Sequence, residues 1–243
     1  MKSRFQLRAS EHLDTSEGKR TFNEKHFAES AARYDFATRA LSLGQDGAWK
    51  KLLIAKLPDV EKPTCLDIAC GTGDVAFLLA ERFPEGECIG VDLTAEMIEI
   101  ARERNDFPSV RFECADMGDL PVADETVDIL TGSYAIRNAP DLCVALREFR
   151  RVMKPGGTLA FLDFAKPESS LGQKLQYALL RFWGGLWGLV LHGNVEIHGY
   201  IAKSLRTFPA PSELEKIYAE EGLSLQESIP LMGGMMRLHV LRA

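Results

Sequence analysis

The chain of 243 residues has no apolar run long enough to cross a bilayer. Its longest, residues 178–191, contains Arg181 and several glycines and falls short of the roughly 20 residues a spanning helix needs. The first residues, Met-Lys-Ser-Arg-Phe-Gln-Leu-Arg, lack the apolar core of a secretory signal. There is no excess of positive charge: 29 Lys and Arg face 35 Asp and Glu, for a net charge of -6. That balance argues against a partner such as nucleic acid, held by neutralising phosphates on a basic surface. There is no C-x-x-C pair and no His/Cys/Asp cluster with metal-ligand spacing, so no metal is expected. The five cysteines (Cys65, Cys70, Cys88, Cys114 and Cys143) are scattered and read as reduced, mostly buried thiols of a cytoplasmic protein. Internal repeats and low-complexity tracts are also absent. What is present is ordinary globular material, 46% apolar and 26% charged, of a length that fits one large domain.

Residues 1–21 are polar, charged and without clear period, and are expected to form a flexible tail. A helical pattern runs over 22–57, with Phe27, Ala31 and Tyr34 and later Trp49, Leu52, Leu53 and Leu57 at helical spacing. Gly44 and Gly47 are expected to divide it. The texture then changes to short apolar strands at 64–69, 88–92, 110–114, 127–133 and 158–164. Helices are predicted between them at 74–83, from Thr94 as N-cap, and at 142–152. Strands alternating with helices of this length mean βαβ units: an α/β protein with a mostly parallel sheet and helices on both faces. After Lys166-Pro167 the rhythm breaks into an aromatic- and glycine-rich insertion over 168–207. A helix over 211–221 and an antiparallel strand pair, 223–229 and 235–241, complete the chain.

The first chemical signal is Asp67-Ile-Ala-Cys-Gly71-Thr72-Gly73-Asp74, directly after a strand. Gly71 and Gly73 let backbone pass close to a ligand, and the following helix offers free N–H groups. Asp92, followed by Leu93, ends the next strand 19 residues past Gly73. A carboxylate there accepts the two hydroxyls of a ribose. The pattern describes a nucleoside site, and two ligands compete for it. Gly71-x-Gly73-x-x-Ala76 satisfies the loose dinucleotide fingerprint of an NAD-dependent oxidoreductase. Asp67 and Asp74, however, would repel a pyrophosphate and suit the ammonium and sulfonium of S-adenosyl-L-methionine. After the third strand, Asp116 is placed to bond an adenine amine and Met117 to touch its ring.

Several stretches resemble one family, the ubiquinone/menaquinone-biosynthesis C-methyltransferases within the class I S-adenosylmethionine-dependent methyltransferases. They are Phe27-Ala-Glu-Ser-Ala-Ala-Arg33-Tyr34-Asp35, the turn Leu66-Asp-Ile-Ala-Cys-Gly-Thr-Gly-Asp74, and Ser133-Tyr-Ala-Ile-Arg137-Asn138. Arg147-Glu-Phe-Arg-Arg-Val-Met-Lys-Pro-Gly-Gly157, Asp163-Phe-Ala-Lys166-Pro167 and Tyr200-Ile-Ala-Lys-Ser204 extend the match. The resemblance implies a Rossmann-like methyltransferase domain over 22–243, with a helical cap (22–57) and an inserted substrate cover (168–207). It implies cofactor contacts at Thr72, Asp92, Asp116, Met117 and Ser133. It further implies C-methylation of a polyprenylated quinol, a demethylmenaquinol or a related benzoquinol.

For the acceptor side the candidates are Arg137, Asn138 and Tyr200. A guanidinium is always charged and is a poor base, so Arg137 is expected to stabilise an oxyanion, or else to pair structurally with Asp141. His198 is a further candidate proton relay if the insertion covers the cleft. The stretch 191–200 is less polar than the family pattern, which leaves open another small aromatic or polyketide acceptor. The apolar residues of 179–190 suit a groove for a lipid tail with peripheral contact to the inner membrane, a homodimer interface, or plain core.

Overall fold

The computed structural model describes residues 15–192 and 196–243, with side chains 191–199 outside that description. The first helix, α1 (Ser16–Ser30), starts earlier than the sequence pattern suggests. Thr15 caps it, its hydroxyl accepting from the Gly18 N–H at 3.1 Å. The expected flexible tail over 1–21 is therefore corrected: residues 16–21 are helical, and 1–14 lie outside the described residues. The buried face of α1 carries Phe22, Asn23, His26 and Ser30, and its polar members hide the helical period from a hydropathy reading. A 3-10 turn (Ala31–Arg33) leads into α2 (Tyr34–Leu41), and α3 (Asp46–Ala55) follows. Of the two expected breaks, Gly44 lies between α2 and α3 at φ +79°, a conformation that favours glycine, whereas Gly47 lies inside the first turn of α3; the run is also broken at the 3-10 turn Ala31–Arg33, which the glycine pattern does not mark.

The rest alternates as expected: β1 (Thr64–Ile68), α4 (Asp74–Arg82), β2 (Glu87–Asp92), α5 (Ala95–Glu103), β3 (Val110–Cys114), β4 (Val127–Ser133), α6 (Leu142–Val152) and β5 (Met153–Phe164). α6 is amphipathic and buries Ala145, Leu146, Phe149 and Val152, and the Asp141 carboxylate caps it by accepting from the Val144 N–H at 3.0 Å. The insertion is two helices, α7 (Ser170–His192) and α8 (Glu196–Thr207). α9 (Pro211–Glu220) precedes β6 (Ser224–Leu231) and β7 (Met236–Arg242).

All seven strands form one sheet in the order β3-β2-β1-β4-β5-β7-β6. β7 runs antiparallel to both β5 and β6, and the other neighbouring pairs are parallel. The last strand in sequence thus inserts between β5 and β6. Pro230 suits the edge position this leaves to β6, because proline has no N–H to give to a ladder. Leu66 and Ile68 of β1 face a core built with α6, α8 and α9, whereas Cys65 faces a second core built with α3, α4 and α5. Strand order reverses between β1 and β4, and the parallel strands all end on one rim there. In open α/β sheets that crevice is where ligands bind.

Candidate functional site

The turn after β1 is left-handed at three residues: Ala69 (φ +47°), Gly71 (φ +55°) and Gly73 (φ +94°). A Cβ on Gly73 would stand 2.8 Å from the Phe77 ring and 3.0 Å from Phe112, so glycine there is required by packing as well as by φ. Gly71 turns its N–H to Asp92, whose Oδ2 accepts it at 2.9 Å; Oδ1 accepts the Thr94 N–H at 2.9 Å. Burial pushes the Asp92 carboxyl up from the ordinary carboxylate range, and these two N–H groups oppose that shift. They also fix the carboxylate plane. Thr94 precedes α5 as predicted, but its hydroxyl makes no cap bond.

Around Asp92 lies a narrow cleft lined by Gly71, Leu93, Asp116, Met117, Ser133 and Asn138, with Ala69, Val91 and Met97. Asp116 is held at its rim: Oδ1 accepts the Gly118 N–H at 2.8 Å, and Arg20 of α1 approaches Oδ2 to 3.3 Å. The cleft thus gathers residues from the ends of β1, β2, β3 and β4, as the strand-end reading anticipates.

Four residues expected beside the cofactor stand outside the lining. Asp67 is fully buried on β1; its Oδ1 accepts from the Thr131 hydroxyl at 2.8 Å and burial raises its pKa to about 7. Thr72 donates its hydroxyl to Asp35 of α2 at 2.7 Å, and Gly73 serves the turn. Asp74, whose charge the sequence reading assigned to a ligand, is taken up by the protein. Lys50 of α3 lies 3.0 Å and Arg104 2.7 Å from its carboxylate.

Beside the cleft is a cavity of about 270 Å³. Phe27, Ala37, Leu41, Trp49, Phe164, Leu180, Trp183 and Met236 give it mainly apolar walls, and Arg137, Asn138 and Tyr200 its polar ones. Phe27, Tyr34, Tyr134 and Asn138 line both spaces, so the two meet at that wall. Arg137 is buried and lies between two rings, 5.8 Å from the Tyr200 centroid and 5.5 Å from that of Phe164. Its acidic partner is Asp163, not Asp141: the backbone N–H donates to Oδ2 at 3.0 Å and Nε to Oδ1 at 3.4 Å, while Nη1 donates to the Ser204 hydroxyl. Lys19 of α1 reaches the Arg137 and Ala139 carbonyls at 3.1 and 2.5 Å; burial and the Arg137 charge lower its pKa to about 8.

Tyr200 is buried, its hydroxyl 2.7 Å from Asn23 Oδ1 and 3.0 Å from Asn138 Oδ1. Burial pushes its pKa up to about 12, so near neutrality it donates a proton to a hydrogen bond rather than removing one. Asn138 Nδ2 donates to the Tyr134 carbonyl at 2.9 Å, and Asn23 Nδ2 to the Asn138 carbonyl at 2.7 Å. The side chain of His198 lies outside the described residues. The sequence reading missed Asn23, His26, Asp46, Lys50 and Tyr134. For the first two a signal existed: Asn23, Phe27, Ser30 and Tyr34 recur every three or four residues, and His26 shares their face.

A glycine turn against a buried carboxylate, at the switch point of an open α/β sheet, defines a nucleoside-binding α/β protein, and the sheet order with β7 inserted antiparallel is that of the class I S-adenosylmethionine-dependent methyltransferase fold. The model of the ubiE/COQ5 methyltransferase family matches residues 15–242. The chain belongs to that family. It is 36% identical over 217 residues to a demethylmenaquinone methyltransferase of Thermus thermophilus, covering 88% of this chain and 98% of the relative. It is 34% identical to a 2-phytyl-1,4-naphtoquinone methyltransferase of Thermosynechococcus vestitus, with 88% and 96% covered. Among solved structures, a putative methyltransferase in complex with the Haloferax volcanii Trm112 activator shares the fold at TM-score 0.63 and 19% identity, with 88% and 96% covered. The geranyl diphosphate C-methyltransferase of Streptomyces coelicolor does so at 0.59 and 15%, with 82% and 78% covered. An oxidoreductase reading of the glycine turn is not favoured by these matches.

Proposed function

We propose that the chain methylates a ring carbon of a reduced, polyprenylated quinol, a demethylmenaquinol in the first instance. The observation that carries this is the junction of the two spaces: a nucleoside-type cleft opening through one wall onto an apolar cavity of about 270 Å³. The names of the relatives, quinone-precursor methyltransferases over nearly the whole chain, support the acceptor class.

S-adenosylmethionine supplies, when bound, a methyl group on positively charged sulfur. The residues of the cleft fit it. Asp92 offers fixed acceptor oxygens to a ribose, Asp116 and Met117 an acidic and an apolar contact to adenine, and Ser133 stands at the strand end nearest the cavity. Asp67, Thr72 and Gly73 act from behind, shaping the turn. The helices α1–α3 serve as cap and α7–α8 as cover. On the acceptor side the quinol must lose a hydroxyl proton, so that negative charge spreads to the neighbouring ring carbon. With the cofactor in the cleft, that carbon would form the new C–C bond to the methyl group, adenosylhomocysteine would leave as the neutral thioether, and the hydroxyl and ring protons would pass to water as the ring becomes aromatic again. Arg137 holds positive charge facing the developing oxyanion, and Asn138 and Tyr200 orient the ring by hydrogen bonding.

An oxidised quinone has no hydroxyl to ionise. Purified protein given S-adenosylmethionine and a short-tailed demethylmenaquinol should form methylated product, read by mass spectrometry, and none with the quinone. Equal product from both would sink the activation route. No product from either, beside measurable adenosylhomocysteine binding, would remove the quinol and leave the methyltransferase.

The outer face of α7 points to where such an acceptor enters. Leu171, Leu175, Phe182 and Val190 are 77%, 72%, 71% and 64% exposed, and Phe36 and Leu43 extend the patch. Leu43 and Leu179 are exposed and also line the cavity, so patch and cavity are continuous. α7 carries exposed Lys174 and Arg181 and no acidic residue, which suits anionic headgroups. No helix among the described residues is long and apolar enough to span a membrane. The protein should therefore lie on the lipid surface. It should co-sediment with phosphatidylglycerol vesicles, and Leu175→Glu with Phe182→Glu should abolish this. A stable dimer that hides α7 and ignores vesicles would reassign the face to self-association.

A further inference from the structure

Tyr134 combines three features that the reaction scheme above does not use. Its backbone is left-handed at φ +58°, a costly conformation for an aromatic residue that persists only where surroundings impose it. Its ring lines both the nucleoside cleft and the apolar cavity. Its hydroxyl is committed within the protein, donating to Asp46 Oδ1 of α3 at 2.7 Å. Asp46 continues the contact: its Oδ2 lies 2.8 Å from Lys50, which reaches Asp74 at the start of α4 at 3.0 Å. Asp46 and Lys50 are both buried, so these partners are not exchangeable for water at little cost.

We propose that Tyr134 is a positioning residue for methyl transfer, held by the cap through Asp46 so that its ring sets the angle and distance at which acceptor meets donor. The inference rests on the methyltransferase reading and adds a residue and a route to it. Geometry favours positioning over proton transfer. The hydroxyl is already committed to the Asp46 carboxylate of α3, and burial beside Asp46 pushes its pKa well above the ordinary tyrosine value. What faces the junction is the ring, fixed at both ends: by the strained backbone beside Ser133 and by the hydroxyl on α3. Phe164, with its centroid 6.1 Å away, packs against it. Releasing one end lets the wall shift by a fraction of an ångström, which in-line displacement does not tolerate.

Tyr134→Phe keeps the ring and removes only the tether. We expect kcat to fall about tenfold, with the acceptor KM and the adenosylhomocysteine Kd within about twofold of wild type. Asp46→Ala should lower kcat by a similar factor, and the double variant by no more than either alone, because both cut one connection. Amide exchange in α3 should quicken about tenfold in Tyr134→Phe whether or not an acceptor is known. Wild-type kcat in Tyr134→Phe, or losses that multiply in the double variant, would overturn the proposal. If the wild-type chain turns over no quinol, the acceptor reading fails. The exchange measurement then still decides whether Tyr134 is tied to α3, and unchanged exchange overturns the tether.

Discussion

Asp92→Ala should weaken adenosylhomocysteine binding about a hundredfold in a calorimetric titration, the largest single effect expected on the cofactor side. Two losses combine. The ribose loses a charged acceptor, and a hydrogen bond to a charged group contributes about 1.5–3 kcal/mol. The Gly71 and Thr94 N–H groups, each 2.9 Å from the carboxylate, lose the partner that ties the glycine turn to the start of α5. Asp92→Asn should fall between, since an amide keeps one acceptor oxygen but turns donors toward an N–H. The acceptor KM should change little, because Asp92 lines the cleft and not the larger cavity. An adenosylhomocysteine Kd unchanged in Asp92→Ala would place the nucleoside elsewhere.

Arg137→Ala should act on stability and on rate at once. Arg137 and Asp163 are both buried, and Asp163 already has a pKa raised by burial that the Arg137 charge opposes. Taking away the cation leaves a buried carboxylate with less to offset its desolvation, a change that costs about 3–5 kcal/mol when a buried pair is broken. At about 2–4 °C per kcal/mol for a chain of this size, the melting temperature should drop by roughly 10 °C. If Arg137 also stabilises an oxyanion, kcat should fall by about 10²–10³. A second variant separates the two effects. Arg137→Ala with Asp163→Asn removes both charges together and should recover much of the melting temperature while kcat stays low. Recovery of kcat along with stability would reduce Arg137 to a structural role.

The Arg137–Asp163 pair shows where local sequence pattern reaches and where it stops. Arg137 is visible as a candidate because it follows a strand end in a recognisable stretch. Its partner is not. Asp141 is four residues away and the natural choice in sequence, yet it caps α6, while Asp163 comes from the adjacent strand β5. The same holds for Asp74. Two carboxylates flanking a glycine turn look like charge meant for a ligand, until Lys50 arrives from α3 and Arg104 from the end of α5 to neutralise one of them. Such pairings are long-range in sequence and leave no local pattern.

By itself the sequence determined the alternation of strands and helices, the glycine turn, the acidic end of β2 and the boundaries of α6, because these rest on local period, turn chemistry and capping. Parallel connectivity then brings the strand ends to one rim, so strand order alone puts Gly71, Asp92, Asp116 and Ser133 close together, and all four line one cleft. Only the tertiary structure decided that β7 slots between β5 and β6, and that the chain is helical from Ser16. It alone showed that Thr72 and Asp74 pair with residues of α2 and α3, and that one wall of Phe27, Tyr34, Tyr134 and Asn138 is shared by the cleft and the apolar cavity. The physical reason is that strand order, ion-pair choice and cavity shape depend on which distant surfaces bury each other, and burial is a property of the packed chain rather than of any segment.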